Sequence, residues 1–238
     1  MHRYNEGERM KAAIMQPYLF PYLGYFQLIR AVDTFVVCDD VNYIKGGWIN
    51  RNFILSQHHP HRITMSLQNS SQNRLINQIL VAPVRDNLLE TIRRSYAKAP
   101  QYSVVFPLIE EILLQREENL ACYLDHGLRR VCDYLGLRPQ WHVSSAFKKE
   151  NSLRGQEMVL AICEELGATH YINAPGGKEL YNREDFAHRG MQLSFVQPKP
   201  VTYPQFGNPF APNLSIIDVM MFNDQEHCGR LLEEYVLD

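Results

Sequence analysis

Three short apolar runs of this 238-residue sequence end in polar side chains that could bind or transform a ligand. Gln16 follows the first run, Asp39 and Asp40 follow the second, and Asn173 ends the third. If these runs are parallel strands of one sheet, their carboxyl ends meet at one edge, where helix N-termini present unpaired amides. We therefore expect Gln16, Asp39 and Asn173 to line one cleft. The alternative is that they are turn or cap residues that satisfy the local backbone.

Asp39 and Asp40 are the candidate catalytic residues. A carboxylate at a sheet edge can be partly desolvated and tuned by its neighbours, which suits general acid or base catalysis. Because successive residues of an extended chain face opposite ways, one of the two is expected to reach the site. A metal role would need further ligands that the sequence does not place, so neither a metal site nor a particular cofactor is predicted.

The segment 46–52 is a second candidate region, because it combines a flexible hinge, an indole and three hydrogen-bonding side chains. The indole of Trp48 suits stacking on a sugar or a base, while Asn50, Arg51 and Asn52 suit the sugar hydroxyls or a phosphate. The alternative is a hairpin or loop in which Trp48 packs into the core.

A glycine-containing segment follows the third apolar run and includes Gly176, Gly177 and Lys178. Its backbone amides could wrap an anion, assisted by the ammonium group of Lys178. Two glycines match neither the phosphate loop nor the dinucleotide fingerprint, so a plain tight turn is the alternative.

Aromatic and histidine clusters are the remaining candidates. The aromatic residues of segment 18–26 are expected to be largely core, with Tyr22 or Tyr25 turning a hydroxyl toward a ligand. The histidine-rich segment 58–61 resembles a metal cluster, but it lies in a polar stretch and is interpreted as a solvated loop.

The elements that position these residues follow from apolar periodicity. Strands are predicted near 11–16 and 34–38, with a helix between them that begins near a proline. This spacing is typical of one βαβ unit, whose crossover makes the two strands parallel. Apolar stripes over about 84–136 then predict a helical block in the middle of the chain.

An α/β pattern returns after the helical block. Ser152 suits the cap of a helix that Gly167 closes, and strands are predicted near 169–173 and 191–197. The predicted fold class is therefore α/β, with a parallel sheet flanked by helices.

The proline-rich segment 198–213 is predicted to be an ordered lid. Its five prolines restrict the unfolded chain, so ordering the segment costs less entropy. The residues 215–218 that follow suit a capping box opening a helix through Phe222. Asn213 and Ser215 would then divide between capping that helix and contacting a ligand. The alternative is a passive surface connector.

Composition limits the class of protein. A formal net charge of −2 supplies no global field for a polyphosphate, so no nucleic-acid partner is expected. No apolar run approaches the roughly 20 residues of a membrane helix, and residues 1–9 are too polar for a signal peptide. We therefore expect a cytoplasmic protein without membrane insertion.

Residues 1–10 are expected to be a disordered extension and 11–238 a single domain. The five cysteines are scattered along the sequence, which favours free, mostly buried thiols.

The same segments carry a family resemblance. They are similar to the signature segments of the WbqC-like protein family, in order and across almost the whole chain, at 15–26, 39–43, 47–52, 171–181 and 212–218. The resemblance implies a role in bacterial O-antigen and other surface-polysaccharide assembly, for which glycine or amino-acyl transfer to an amino sugar has been suggested. It supplies no established set of catalytic residues.

The opening segment is also similar to that of HIGH-superfamily nucleotidyltransferases, in which the first strand leads into a helix with paired histidines. This resemblance implies a Rossmann-like sheet. Residues 20–26 contain no histidine, however, which puts the phosphate chemistry of that superfamily in doubt.

Three hypotheses follow. The first is a transferase that holds an activated acyl donor beside an amino sugar, with Asp39 or Asp40 as general base and amides near Gly176 binding the oxyanion. The others are a nucleotide or nucleotide-sugar binding protein without catalysis, and a nucleotidyltransferase lacking the paired histidines.

Overall fold

The computed structural model describes residues 10–83, 86–150, 152–207 and 209–238. In chain order, the strands of these residues are β1 (Lys11–Met15), β2 (Thr34–Val37), β3 (Arg51–Ser56), β4 (His59–Thr64), β5 (Leu67–Gln68), β6 (Leu80–Val81), β7 (Gln140–Val143), β8 (His170–Asn173), β9 (Gln192–Pro198) and β10 (Tyr235–Leu237). The helices are α1 (Leu23–Arg30), α2 (Asp86–Tyr96), α3 (Tyr102–Leu114), α4 (Leu120–Leu135), α5 (Gly155–Leu166), α6 (Arg183–His188), α7 (Ile216–Phe222) and α8 (Gln225–Leu232). Short 3-10 turns occur at Ile76–Gln78, Ser144–Ala146 and Pro175–Gly177.

The main sheet of the described residues has six strands in the order β10–β9–β8–β1–β2–β7. β10 is antiparallel to β9, and the other neighbours are parallel. Counted along the chain, this is the Rossmann order, in which the first strand lies in the middle and the direction of winding reverses beside it. The prediction of an α/β fold with a Rossmann-like sheet is confirmed, and β1 and β8 flank the switch point.

β1 and β2 form because their short apolar runs are buried on both faces of the sheet. Their parallel register pairs Ala12 with Thr34 and Met15 with Val37, and α1 makes the crossover between them. The predicted βαβ unit is therefore confirmed. Because the two strands are in register, they end together and bring the residues that follow them to one edge of the sheet.

The predicted helical block consists of α2, α3 and α4. Asn119 caps α4 by accepting hydrogen bonds from the amides of Ala121 at 3.0 Å and Cys122 at 3.2 Å. Gly136 ends the helix in the left-handed conformation, with φ of 72°. α4 packs against residues 18–21, so the block supports the loop that follows β1.

Two local predictions are wrong and one is confirmed. Ser152 does not cap α5, whose N-cap is Arg154, although Gly167 does end that helix in the left-handed conformation. The histidine-rich segment is not a loop, because β3 and β4 form a hairpin that turns at Gln57 and His58. Both turn residues have positive φ, at 50° and 66°. The β4 histidines are exposed on this hairpin.

The proline-rich segment is held in place by side-chain hydrogen bonds. The Gln205 amide closes it on itself, donating to the carbonyl of Ala211 at 3.2 Å and accepting from its N–H at 2.9 Å. The carboxylate of Asp218 accepts from the hydroxyls of Tyr203 and Tyr96 at 2.8 Å and from Gln205 at 2.7 Å. Asp218 therefore ties the segment and α2 to α7 instead of completing a capping box.

The cysteines are free thiols, and the described part of the chain begins at Met10. All five cysteines are free, as predicted, and only Cys122 is exposed. Residues 1–9 of the expected extension lie outside the described residues, whereas the carbonyl of Met10 accepts from the amides of Thr169 and His170 at 3.1 Å each. No helix of the described ranges is long and apolar enough to cross a bilayer.

Candidate ligand-binding cleft

A cleft of about 550 Å³ lies at the carboxyl ends of β1 and β8, at the switch point of the sheet. Gln16 and Asn173 line it together. The first turn of α5 and the loops 41–48 and 174–181 contribute further walls. Open parallel sheets bind ligands at this position, so we take this central cleft as the candidate site.

Two tyrosines of the loop after β1, Tyr18 and Tyr22, line the central cleft together with Tyr25 of α1. Tyr25 is buried and donates a hydrogen bond to the backbone carbonyl of Gln16 at 2.8 Å. Burial, with smaller contributions from Tyr22 and Cys38, raises the pKa of Tyr18 to about 12. Burial likewise raises the pKa of Tyr22 and, more strongly, of Tyr25. All three hydroxyls are thus uncharged at neutral pH, and the hydroxyl of Tyr25 donates its hydrogen to the Gln16 carbonyl and not to a ligand.

Exposed apolar side chains form the mouth of the cleft. Trp48 is 52% exposed and meets Phe53 edge-on, with ring centroids 6.1 Å apart. Ile44 and Leu180 are 52% and 70% exposed and line the same mouth. The alternative in which Trp48 packs into the core is therefore wrong, and its indole is free to stack on a ligand.

Asn173 shapes the wall beside the glycine turn. Its Oδ1 accepts a hydrogen bond from the amide of Ala174 at 2.8 Å. Its side chain lies over Gly177, where a Cβ atom would come within 2.5 Å of Nδ2, so a larger residue there would displace the Asn173 amide. Gly176 and Gly177 both line the cleft from the 3-10 turn Pro175–Gly177. The alternative of a tight turn is thus correct for the local structure, and the backbone of this turn lies beside the cleft.

Lys178, considered as an anion ligand, is turned away from the cleft. Its ammonium group pairs with the carboxylate of Asp238 and lies 5.9 Å from the ring of Phe195. As a result, no charged side chain of the described residues lines the central cleft. Within the same residues, no group of three or more His, Cys, Asp and Glu side chains is arranged to hold a metal ion.

Asp39 is buried beside the central cleft and does not line it. Its Oδ1 accepts from the Ser144 hydroxyl at 3.0 Å and the Ser145 amide at 2.9 Å. Its Oδ2 accepts from the Ser145 hydroxyl at 2.7 Å and from Asn77 at 3.1 Å. These bonds join the end of β2 to the end of β7. The expectation that Asp39 shares the cleft with the residues after β1 and β8 is wrong, because hydrogen bonds from these partners hold both of its carboxylate oxygens outside the cleft.

Asp40 is the more accessible carboxylate. Its Oδ1 also lies at hydrogen-bond distance from the Ser144 hydroxyl, whose single proton the two carboxylates share, and its Oδ2 pairs with Lys149 at 2.7 Å. Both aspartates therefore face one serine, contrary to the expectation of opposite directions, because β2 ends before them and its alternation stops. In the chain, Asp40 lies between Cys38 and Val41, which both line the central cleft.

Cys38 forms part of the cleft floor and is inert as a nucleophile. Burial, followed by the negative charge of Asp40, raises the pKa of its thiol to about 12, while a hydrogen bond with Ser144 opposes the shift. The thiol therefore stays protonated at neutral pH. The same interaction places the charge of Asp40 within electrostatic reach of the cleft floor.

Asn50 and Arg51 follow the exposed indole of Trp48 in the chain. Their side chains make hydrogen bonds within the protein and do not face the cleft. Asn50 is buried, accepts from the Tyr43 hydroxyl at 2.9 Å and donates to the Met65 carbonyl at 2.7 Å. Arg51 donates from Nε to the carbonyl of Gly47 at 2.7 Å. Neither residue lines the central cleft. They position the loop that carries the indole.

Asn52, the third candidate of that segment, fixes the loop after β1. It is buried and donates to the carbonyls of Leu19 at 3.3 Å and Phe20 at 2.6 Å, while its Oδ1 accepts from the Phe53 amide at 2.8 Å. Phe20 has φ of 43°, a conformation that bulky residues rarely adopt. Asn52 therefore helps to hold a strained turn beside the cleft.

Replacing Asn52 by Ala is expected to lower the free energy of unfolding by about 1–3 kcal/mol, because the Leu19 carbonyl and the Phe53 amide lose their partner and the Phe20 carbonyl keeps only the Ser215 hydroxyl. Urea denaturation measures the loss. Asn73→Ala, at an exposed asparagine, should change stability by less than about 0.5 kcal/mol. Equal stability of the two variants would show that Asn52 does not support the loop.

The first turn of α5 is a wall of the cleft that sequence reasoning missed. Gly155, Met158 and Val159 line the cleft, and the N-cap residue Arg154 makes no capping bond with its own side chain. The first amides of this helix, and the positive end of its dipole, are therefore directed to the ligand space. Gly155 ahead of the apolar stripe was the available signal, but Ser152 is the more typical cap residue.

Asn213 and Ser215 lie outside the central cleft. Asn213 is exposed, has φ of 58° and lines a second cavity of about 430 Å³ beneath the proline-rich segment. Ser215 is fully buried, accepts from the Ile217 amide at 3.2 Å and donates to the Phe20 carbonyl at 2.8 Å. Ser215 is therefore the cap of α7, and it is closed to a ligand.

A wider depression of about 660 Å³ lies at the opposite end of the strands, beside Asp33, Arg138 and Gln140. Its walls include the C-terminal ends of α1 and α4, which are the negative ends of the two helix dipoles, and the side chains of Arg30 and Arg138, which are ion-paired with Glu233 and Asp133. No helix N-terminus of the described lining residues is available there to bind an anion. The central cleft is thus the better candidate for a ligand with a phosphate or a carbonyl.

Comparison with known proteins identifies the family of this chain and leaves its chemistry open. The model of the family described as "WbqC-like protein family" matches residues 16–229. A protein of Mycobacterium tuberculosis (strain ATCC 25618 / H37Rv), named "Uncharacterized protein Rv1507c", is 26% identical over 221 residues, which cover 90% of this chain and 93% of that protein. No solved structure matches the chain at a significant level.

Proposed function

We propose that this chain, which belongs to the WbqC-like protein family, is a transferase of bacterial surface-glycan assembly that acts on a nucleotide-linked amino sugar in the central cleft. The observation that supports this best is the lining itself, which combines an exposed indole, neutral tyrosines and uncapped helix amides without a charged side chain among the described residues. Aromatic faces suit a base or a sugar ring, and helix amides suit a phosphate or carbonyl oxygen.

The reaction that fits this lining is transfer of an amino-acyl group, such as glycyl, to the amine of the sugar. The amine attacks the carbonyl carbon of an activated donor, so a C–N bond forms and the donor's leaving group departs with its bonding electrons. The amine gives its proton to Asp40, which passes it to the leaving group. The amides of Gly176 and of the first turn of α5 stabilise the oxyanion.

Ligand binding at Trp48 is tested by fluorescence, because the chain has two tryptophans and they are separable. Nucleotide-linked amino sugars should change the emission of Trp141→Phe, which keeps Trp48, and leave Trp48→Phe silent. Trp141 is the matched control because it is partly buried in β7, with its ring 4.8 Å from the Arg129 guanidinium. Trp48→Ala should weaken affinity roughly 5- to 150-fold, as the loss of about 1–3 kcal/mol of stacking implies. Equal responses of the two single-tryptophan variants would count against the central cleft.

Mass spectrometry of the sugar, after incubation with activated glycyl donors, tests the transfer itself. Addition of a glycyl group without added metal supports the proposal. Binding without transfer across all donors would favour the non-catalytic nucleotide-sugar binding protein. Magnesium-dependent release of pyrophosphate from a nucleoside triphosphate would favour nucleotidyl transfer instead.

A further inference from the structure

A long stretch without acidic residues surrounds the exposed indole of Trp48. No Asp or Glu occurs between Asp40 and Asp86, whereas Lys or Arg occurs at positions 45, 51, 62, 74 and 85. The whole chain, in contrast, balances 24 Lys and Arg with 26 Asp and Glu. No neighbour in this stretch neutralises its positive charge, which favours an anionic ligand.

We propose that a cationic face formed by Lys45, Arg51 and Arg62 binds the diphosphate group of a nucleotide-linked ligand, outside the central cleft. Within the described residues, none of these three side chains makes an ion pair. That the ligand carries an amino sugar rests on the proposed function, whereas the anion site rests on the placement of the cations.

The β3–β4 hairpin places Arg51 and Arg62 on one face. In the antiparallel register Arg62 lies opposite Phe53, and Arg51 lies opposite Thr64. Opposite residues of such a pair share a face, and so do residues two apart in one strand. Arg51 and Arg62 are therefore diagonal neighbours, about 7–8 Å apart, a spacing at which two long side chains can reach one diphosphate.

The two guanidinium groups remain available to a ligand. Arg62 is exposed on β4. Arg51 is half-buried and uses one N–H group, at Nε, to donate to the Gly47 carbonyl at 2.7 Å. This bond fixes the side chain without neutralising its charge, because a guanidinium has further N–H donors. Planar guanidinium groups match phosphate oxygens in paired hydrogen bonds.

The cationic face adjoins the mouth of the central cleft through Trp48. The indole lines the cleft and meets Phe53, the residue opposite Arg62, with ring centroids 6.1 Å apart. Lys45 is exposed on the same loop as Trp48, next to Ile44, which also lines the cleft. Trp48 therefore lies between the cations and the cleft.

This order of groups fits a sugar that is linked to a diphosphate. No charged side chain of the described residues lines the central cleft, so the sugar ring belongs inside it and the charged part of the ligand outside. In a nucleotide sugar the diphosphate is bonded directly to the sugar. A ligand with its sugar in the cleft therefore passes the indole and places its diphosphate on the cationic face. The first amides of α5 are then left for the carbonyl oxygen of the acyl donor.

Isothermal titration calorimetry of the full chain tests the site with uridine and uridine diphosphate, and with the corresponding adenosine, guanosine and cytidine pairs. At least one diphosphate should bind at least about tenfold more tightly than its nucleoside, because charge-assisted hydrogen bonds form only with the phosphates. Added salt should weaken that binding. Equal affinities within all four pairs, or no measurable binding of any diphosphate, would overturn the site.

Charge variants locate the diphosphate. Arg62→Gln should weaken diphosphate binding at least about tenfold and leave nucleoside binding unchanged, and Arg62→Lys should weaken it less because the charge is kept. Arg138→Gln is the matched control, since it removes the same charge at the opposite end of the strands. Lys45→Gln provides a second variant if Arg62→Gln does not fold. Unchanged diphosphate affinity in Arg62→Gln and Lys45→Gln, or an equal loss in Arg138→Gln, would contradict the proposal.

Kinetics separate failure of the site from failure of the proposed function. In glycyl transfer, Arg62→Gln should raise KM for the nucleotide-linked sugar and leave kcat nearly unchanged, because the diphosphate is remote from the reacting amine. Transfer with an unchanged KM would exclude the site and keep the function. Diphosphate binding with the expected pattern of variants, but without transfer from any glycyl donor, would keep the site and exclude the function.

Discussion

Replacing Asp40 by Asn is expected to lower kcat of the proposed transfer about 10²- to 10⁴-fold and to leave KM for the sugar nearly unchanged, while Tm falls because the largely buried ammonium group of Lys149 loses its ion-pair partner. No carboxylate of the described residues lines the central cleft, and Asp40 is the accessible one beside it. The attacking amine must lose a proton, which a carboxylate can accept and a side-chain amide cannot. Steady-state kinetics of glycyl transfer and a thermal melt provide the three quantities.

Matched variants separate catalysis from stability. Asp133→Asn changes an exposed aspartate that is also ion-paired, to Arg138 and Arg130, and should keep the unmodified kcat. Asp39→Asn should lower Tm more than Asp40→Asn does, because Asp39 joins the end of β2 to the end of β7. Unmodified kcat in Asp40→Asn would remove Asp40 as the general base and require another proton acceptor.

The meeting of Gln16 and Asn173 could be predicted because it depends only on the sheet. Short apolar runs buried on both faces indicate parallel strands, and adjacent parallel strands in register end at the same edge. The structure places both residues in one cleft at the switch point. No knowledge of side-chain packing was needed for this part of the site.

The position of Asp39 could not be predicted because its partners are remote in the chain. Ser144 and Ser145 lie 105 and 106 residues away, directly after β7. That strand has only four residues and a mixed sequence without an apolar run, so the sequence gives little sign of it. The hydrogen bonds that take the carboxylate away from the cleft depend on a pairing with β2 that only the fold reveals.

Composition also cannot tell whether an amide serves a ligand or the backbone. Asn52 has the same chemistry as a sugar-binding asparagine, yet it bonds the carbonyls of Leu19 and Phe20. Those carbonyls need a donor because the chain turns sharply at Phe20, whose positive φ is not visible in the sequence. For Trp48 the sequence left two alternatives, stacking on a ligand or packing into the core, and its 52% exposure in the structure excludes the second.

Replacing Asp218 by Ala is expected to lower the free energy of unfolding by about 2–4 kcal/mol, the largest stability effect anticipated for this chain. The buried carboxylate accepts from Tyr96, Tyr203 and Gln205, so its removal leaves two hydroxyls and one of the two side-chain N–H groups of Gln205 without an acceptor. It also releases the proline-rich segment from α7. Urea denaturation should show the loss, whereas Asp133→Ala, with a half-exposed ion pair, should cost less than about 1 kcal/mol.

Asp218 also predicts how stability depends on pH. Burial raises the pKa of its carboxyl above the ordinary value, although hydrogen bonds from Tyr203, Tyr96 and Gln205 oppose the shift. The folded protein then holds this proton more tightly than the unfolded chain does. The contribution to stability is fully present below the unfolded pKa of about 3.9, and it is lost as pH rises through the raised folded pKa.

Asp218→Asn separates the proton from the hydrogen bonds. The variant has no group to titrate at this position, so its stability should fall less than that of the unmodified protein as pH rises from the acid range toward neutrality. It should also be more stable than Asp218→Ala, because an amide oxygen still accepts and the tyrosine hydroxyls can rotate. Parallel pH profiles for Asp218→Asn and the unmodified chain would show that the carboxyl has the same pKa in both states. The hydrogen bonds of Asp218 would then stabilise the fold without any contribution from its protonation. In that case Asp218→Asn should still be more stable than Asp218→Ala.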